Sequence, residues 1–191
     1  MYSPETTRYF ELFSALFALA SVLLSAREKT LTWPISIVCI LLGLFVYYEA
    51  KLYAKCLLNV TYLGVIAYGW YQWLYGGKNK TPLKVSKITL QTKGILVISG
   101  LLGTLGLGTA FATYTDADLP YWDSLHTSFS LVAEWMMAKK KLESWIVWFV
   151  LDVSYTGLCY YKGLYLFSAL HLLYIFLAVY GYKCWKKAYT Q

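Results

Sequence analysis

Residues 62–73 read Tyr62-Leu63-Gly64-Val65-Ile66-Ala67-Tyr68-Gly69-Trp70-Tyr71-Gln72-Trp73. The chain reads Tyr174-Ile175-Phe176-Leu177-Ala178-Val179-Tyr180-Gly181-Tyr182-Lys183-Cys184-Trp185 at a constant distance of 112 positions, so Tyr62, Tyr68-Gly69 and Trp73 recur. The same offset carries Glu11 to Asp123, Ala26 to Ala138, Trp33 to Trp145, Tyr48 to Tyr160 and Leu52-Tyr53 to Leu164-Tyr165. No gap interrupts it. Two apolar segments can match by composition, but aligned Trp, Tyr and Gly positions are much harder to obtain by chance. The chain therefore reads as a duplicated unit, residues 1–75 and 119–191, with a connector over 76–118.

Composition says in what solvent that unit folds. Of 191 residues 59% are hydrophobic and 14% charged, with a mean hydropathy of +0.49. Soluble domains run at roughly 45–50% apolar and about 25% charged, so an ordinary soluble fold is excluded. Disorder is excluded as well, since disordered chains are polar and poor in aromatics, whereas 19% of this chain is aromatic, with 19 Tyr and 8 Trp. Such an excess suits a membrane interface. A span with its turn takes roughly 25–28 residues, so the length corresponds to about seven spans. Cys39, Cys56, Cys159 and Cys184 lie in or at the ends of apolar segments without metal-ligand spacing and read as packing residues. The first segment does not read as a signal peptide, because Glu5 accompanies Arg8 and no small-residue cleavage site follows.

The seven apolar segments are Tyr9–Ser25, Trp33–Tyr48, Leu52–Leu74, Gly94–Ala112, Pro120–Ala138, Trp145–Tyr161 and Leu164–Lys183. The longest break, Gly76–Lys93, carries Gly76-Gly77, Pro82 and five Lys. With seven spans, Arg27, Lys29, Lys78, Lys80, Lys84, Lys87, Lys93, Lys139–Lys141, Lys183, Lys186 and Lys187 share one side, thirteen of 17 basic residues. The other side holds Arg8, Lys51, Lys55 and Lys162 beside Glu5, Glu11, Glu49, Asp116, Asp118 and Asp123. The positive-inside rule makes the first side cytoplasmic, with the N-terminus outside and the C-terminus inside. The net charge of +7 is then an orientation signal and no nucleic-acid patch. The expected fold is an all-α integral membrane protein, seven transmembrane helices in two parallel three-helix repeats joined by one linking helix. Parallel repeats place a substrate between the halves near the midplane, as in SWEET carriers. The linking segment, with Gly100, Gly103, Gly106 and Gly108, reads as close helix packing.

Charge inside the bilayer is expensive, roughly 2.5–3.5 kcal/mol per residue on insertion scales, and so marks function. Glu134 and Asp152 fall there. His126, Ser130 and Glu134 share a helix face, as do Trp145, Trp148, Asp152 and Tyr155. Asn59, Tyr62, Ile66, Trp70 and Trp73 form a stripe, and His171 and Tyr174 another. The repeat makes the second half the specialised one: Glu134 stands for Val22, Trp148 for Ser36, Asp152 for Ile40 and His171 for Asn59. Carboxylates among aromatic faces, with no intramembrane Lys or Arg, point to a flat cationic aromatic solute, each cation–π contact contributing about 1 kcal/mol. Structural readings stand beside this one. Trp33 and Trp145 read as interfacial anchors, Asn59 and His171 could bond neighbouring helices, and Asp152 could be an interhelical acceptor. No HExxH, GxSxG or Walker motif is present, so no enzyme, cofactor or metal is expected. A membrane binding or assembly protein without transport is the alternative class.

The run Leu131-Val132-Ala133-Glu134-Trp135-Met136-Met137-Ala138-Lys139-Lys140-Lys141-Leu142-Glu143-Ser144-Trp145-Ile146-Val147-Trp148, with Asp152 and Tyr161-Lys162-Gly163-Leu164-Tyr165, resembles the PnuC-type nicotinamide riboside transporters. Tyr68-Gly69-Trp70-Tyr71-Gln72-Trp73 is similar to that family's YGWxxW element. The resemblance implies a 3+1+3 helix fold, a homotrimer in the bacterial inner membrane, and facilitated diffusion of a vitamin precursor trapped by phosphorylation. It assigns substrate contacts to Trp148 and Asp152 and, through the YGW element, to Trp70 and Tyr68. Glu134, Asn59, Tyr155 and His171 join them on the residue reading. Asn59 and Glu134 stand where members of the family often carry Gln, which leaves thiamine open beside nicotinamide riboside as the substrate.

Overall fold

A computed structural model describes the backbone of residues 4–49, 53–116 and 118–191, and side chains at 13–45, 48, 59–116 and 118–191. Glu5, Arg8, Glu11, Glu49, Lys51, Leu52, Tyr53, Lys55 and Cys56, used in the sequence reading, lie outside the described side chains. The helices are α1 (Pro4–Ala26), α2 (Thr32–Glu49), α3 (Tyr53–Tyr75), α4 (Leu90–Tyr114), α5 (Pro120–Ala138), α6 (Ser144–Tyr161) and α7 (Tyr165–Thr190). Seven apolar segments thus become seven helices, but the boundaries differ. The basic residue Lys93 and the tail Lys183–Thr190 belong to α4 and α7. Apolar content marks the length a bilayer would cover, whereas Lys, Gln and Ala propagate a helix beyond it. Among the described residues, α4 and α7 are long and apolar enough to cross a membrane by length and composition alone.

Helix starts and stops follow local chemistry. Pro120 sits in the first turn of α5, where its missing N–H costs nothing. The Thr89 hydroxyl accepts from the Thr92 N–H and caps α4. Glu28 and Lys140 occupy the left-handed region at φ 55° and 47°, ending α1 and α5 in the same way. Each lets the next N–H turn back, from Lys29 to Leu24 O at 2.9 Å and from Lys141 to Met136 O at 2.8 Å. These two turns are related by the 112-residue offset.

Packing forms a closed ring of six helices. α1 packs on α2, α2 on α3, α3 on α5, α5 on α6, α6 on α7, and α7 back on α1. Every one of these contacts has a counterpart when its helices are exchanged by the offset. Helix α4 lies outside the ring and packs on α5, burying Gly100, Thr104 and Gly108. A Cβ at Gly100 or Gly108 would overlap the ring of Phe129 or Tyr121, so glycine sets this close approach.

One end of the ring is closed by four tryptophans. Trp33 meets Trp73 edge-on at 5.3 Å, Trp145 meets Trp185 edge-on at 5.5 Å, and Trp73 and Trp185 touch at 5.8 Å. All four are at most 2% exposed. The Trp73 indole N–H donates to Met137 O and the Trp185 N–H to Ser25 O, each at 3.0 Å. Trp33 and Trp145 lie over Gly69 and Gly181, where a Cβ would overlap their rings. The sequence reading of Trp33 and Trp145 as interfacial anchors is corrected here: both are core residues, because the glycine opposite each leaves space for an indole. The connector 76–89 crosses this same end. Ser86 pairs with the α5–α6 turn, its N–H donating to Lys140 O at 3.0 Å and its carbonyl accepting from Leu142 N–H at 2.9 Å. Thus the segment read as a linker is strapped to the bundle.

Candidate functional site

The ring encloses a cavity of about 320 Å³, bounded by α1, α2, α3, α5, α6 and α7. Its wall follows the repeat. Val22 and Glu134, Ser25 and Met137, Trp33 and Trp145, Ser36 and Trp148, Ile40 and Asp152, Tyr62 and Tyr174, and Ile66 and Ala178 are offset partners, and both members of each pair line it. Equivalent positions with different side chains give the two walls different chemistry.

On the first-half wall three hydroxyls satisfy one another. Ser21 Oγ lies 2.6 Å from Ser36 Oγ and 2.9 Å from Thr32 Oγ1, and the Thr32 hydroxyl donates to Ser21 O at 2.8 Å. The sequence reading missed this hydroxyl cluster, although the offset that maps Ser36 onto Trp148 could have located it. The second-half wall carries the charge. His171 Nδ1 lies 2.8 Å from Asp152 Oδ1, in a pairing where the ring N–H donates to the carboxylate. Such a bond both orients the imidazole and satisfies the acid. The Tyr155 ring packs 4.6 Å from His171 and 4.8 Å from His126, and the Ser154 hydroxyl lies 2.9 Å from His126 Nε2. A polar file therefore runs from Asp152 through His171 and Tyr155 to His126. Glu134 is different. Among the described residues it has no hydrogen-bond or ion-pair partner, and no Lys or Arg lines the wall.

Of the residues singled out from sequence, Glu134, Trp148, Asp152 and His171 meet at the cavity, with Tyr155 packed behind His171. Three others do not. Asn59 is half-buried on α3 and is not part of the wall, although its offset partner His171 is. Trp70 and Tyr68 are each 37% exposed and also lie away from it. The inward face of α3 is Tyr62, Ile66, Gly69 and Trp73; at about 100° per residue Trp70 sits on its flank and Tyr68 on the far side. The Tyr68 ring is instead covered by Lys139 Nζ at 5.1 Å. Its offset partner Tyr180 receives Arg27 Nε at 3.4 Å, so each tyrosine meets the basic residue of the opposite half.

The helical fold and the sequence are shared with known proteins. The sequence profile of nicotinamide mononucleotide transporters matches residues 8–187. The chain belongs to that family. The nicotinamide riboside transporter PnuC of Escherichia coli (strain K12) is 24% identical over 202 residues, covering 93% of this chain and 84% of the relative. The riboflavin/roseoflavin transporter RibM of Streptomyces davaonensis is 25% identical over 174 residues, covering 89% and 81%. In three dimensions the fold is similar to the crystal structure of the vitamin B3 transporter PnuC, with a TM-score of 0.72 and 22% identity over 94% of this chain and 81% of that one. Relatives named for different substrates, nicotinamide riboside and riboflavin, are thus similar to this chain over most of its length.

Proposed function

We propose that this chain carries nicotinamide riboside across the bacterial inner membrane by facilitated diffusion, with phosphorylation inside the cell trapping the cargo. The observation that supports this reading best is Glu134 on an aromatic cavity wall, with no hydrogen-bond or ion-pair partner and no lining Lys or Arg among the described residues. A carboxyl held among apolar groups gains most from a cation brought by the ligand, and Trp148 on the cavity wall is suited to stack on a flat ring. Asp152, fixed by His171, is suited to accept from ribose hydroxyls or an amide N–H. Membership of the family, with PnuC relatives of the same extent, agrees with this substrate.

The 3+1+3 arrangement belongs to the same proposal. The offset-related ring contacts and the isolated position of α4 support two parallel three-helix units with α4 as the link. The end bearing the four tryptophans also bears Arg27, Lys29, Lys139–Lys141 and the connector lysines, and it faces the cytoplasm by the positive-inside rule. Assembly as a homotrimer is part of the reading and rests on the family resemblance. Purified protein in proteoliposomes should take up labelled nicotinamide riboside and show counterflow. Saturable binding without counterflow would instead identify a membrane binding protein.

Thiamine is the second reading, and the same Glu134 favours it. A carboxyl can accept from the amino group of an aminopyrimidine while a second contact holds the thiazolium. Competition between labelled riboside and unlabelled thiamine in the counterflow assay separates the two. Riboflavin, the cargo named for RibM, is neutral and leaves Glu134 without a counter-charge.

A further inference from the structure

Three contacts join a residue to its own offset partner. The Ser25 hydroxyl donates to Met137 Sδ at 3.3 Å, the Trp73 and Trp185 rings touch at 5.8 Å, and Lys140 Nζ donates to Glu28 Oε2 at 2.8 Å. Two equivalent residues can touch only where the axis exchanging the halves passes between them. These three contacts therefore mark that axis, and all lie at the basic end of the ring. The cavity wall is also built of offset pairs, so it surrounds the same axis farther in. A solute leaving the cavity along the axis toward the basic end meets these contacts, and each one has its two members on different halves.

Two of the three are neutral contacts between side chains that pack by shape. Glu28 and Lys140 are different, since equivalent positions here carry opposite charges. Both sit at the left-handed residue of the matching turns, which aims one at the other. Lys140 is 7% exposed at its side chain and its Nζ also lies 4.5 Å above the Trp73 ring, so its charge is spent on Glu28 and on the tryptophan layer. Ser86 of the connector holds the carbonyl of this lysine and the Leu142 N–H two residues on. A truncated partner would leave the nearly buried lysine charge compensated by the Trp73 ring alone, which destabilises the joined state more than loss of an exposed pair would.

We propose that the Glu28–Lys140 ion pair is the latch of the cytoplasmic gate, holding the tryptophan layer shut while the cavity is open to the other side or occluded. The proposal rests on the transport reading and on the orientation given above, but on no particular substrate. Moving one half against the other breaks the pair and separates Trp73 from Trp185 in one step.

Cys39 lines the cavity and provides a native reporter. Inside-out vesicles holding the full chain are treated with a membrane-impermeant maleimide, and labelling at Cys39 is read by mass spectrometry. Glu28→Gln and Lys140→Met should each raise the labelling rate about five- to tenfold, a shift of about 1–1.4 kcal/mol in the gate equilibrium. The exchange Glu28→Lys with Lys140→Glu should return it to within about twofold of the native rate. Labelling from right-side-out vesicles should stay level or fall in the single variants. Unchanged labelling in both single variants overturns the proposal. So does a rise from both faces, or a double variant that melts like the native protein yet labels like the single ones. No substrate enters this assay, so a wrong cargo assignment leaves its outcome unaffected.

Discussion

Replacing Glu134 by Gln removes one formal charge and little volume, and it tests what the cavity is for. A sphere of 320 Å³ has a radius of about 4 Å, so a ring cation held inside lies about 4–8 Å from the Glu134 carboxyl. At an effective dielectric constant of about 20, two unit charges at that distance attract by about 2–4 kcal/mol. Desolvation of the pair takes back a share of this; if half survives, the variant loses about 1–2 kcal/mol, or about five- to thirtyfold in affinity. The decisive comparison is between nicotinamide riboside and its reduced dihydro form, which has nearly the same shape and no charge. Binding of both, measured by calorimetry or by quenching of the cavity tryptophans, should show the full loss for the cation and less than about twofold for the neutral form. An equal loss for the two would refute the electrostatic argument and make Glu134 a structural residue. Retained discrimination for the cation would transfer its role to Asp152.

Further outcomes follow from individual contacts. Asp152→Asn keeps the shape but weakens a charge-assisted bond to His171, which should lower uptake and cost about 1.5–3 kcal/mol in binding; His171→Asn should give a similar loss, and the double variant little more than either alone. Gly69→Ala and Gly181→Ala each force a methyl into an indole ring, and each should destabilise the protein by about 1–3 kcal/mol, read as a lower melting temperature in detergent. Trp73→Phe and Trp185→Phe each remove an indole N–H bond, to the Met137 or Ser25 carbonyl, and part of the packed ring volume, while the turn N–H of Lys140 or Glu28 still reaches that carbonyl; each should lower stability by a similar amount, about 1–3 kcal/mol, in the same melting assay. A large difference between the two variants would argue against equivalent roles for the halves.

Much of the fold was legible in the chain. Apolar runs with short polar turns marked seven helices, because a bilayer demands both a minimum apolar length and complete backbone hydrogen bonding within each segment. The offset was legible because Trp33 needs Gly69 and Trp145 needs Gly181: an indole lodged against a glycine leaves a trace at both positions. Of the site, Glu134, Trp148, Asp152 and His171 could be picked out, since charge or a polar ring at that depth has few structural uses.

What sequence could not supply was direction. Trp70 and Tyr68 belong to a motif, but motif membership does not say which way a side chain leaves its helix; the rotation of α3 against α2 and α5 turns Tyr62 and Ile66 inward and leaves those two outside the cavity. Trp33 and Trp145 looked like interfacial anchors because their place near a span end was visible while the opposing glycines were not yet placed against them. The Ser21–Thr32–Ser36 cluster, the Asp152–His171 bond and the Glu28–Lys140 pair join residues on different helices or in opposite halves. Sequence alone determined the apolar character, the helix count and the 112-residue offset, all properties of single segments and their period. Only the tertiary structure decided which charges meet and which stay unpartnered, because that depends on how six helices rotate to close one ring.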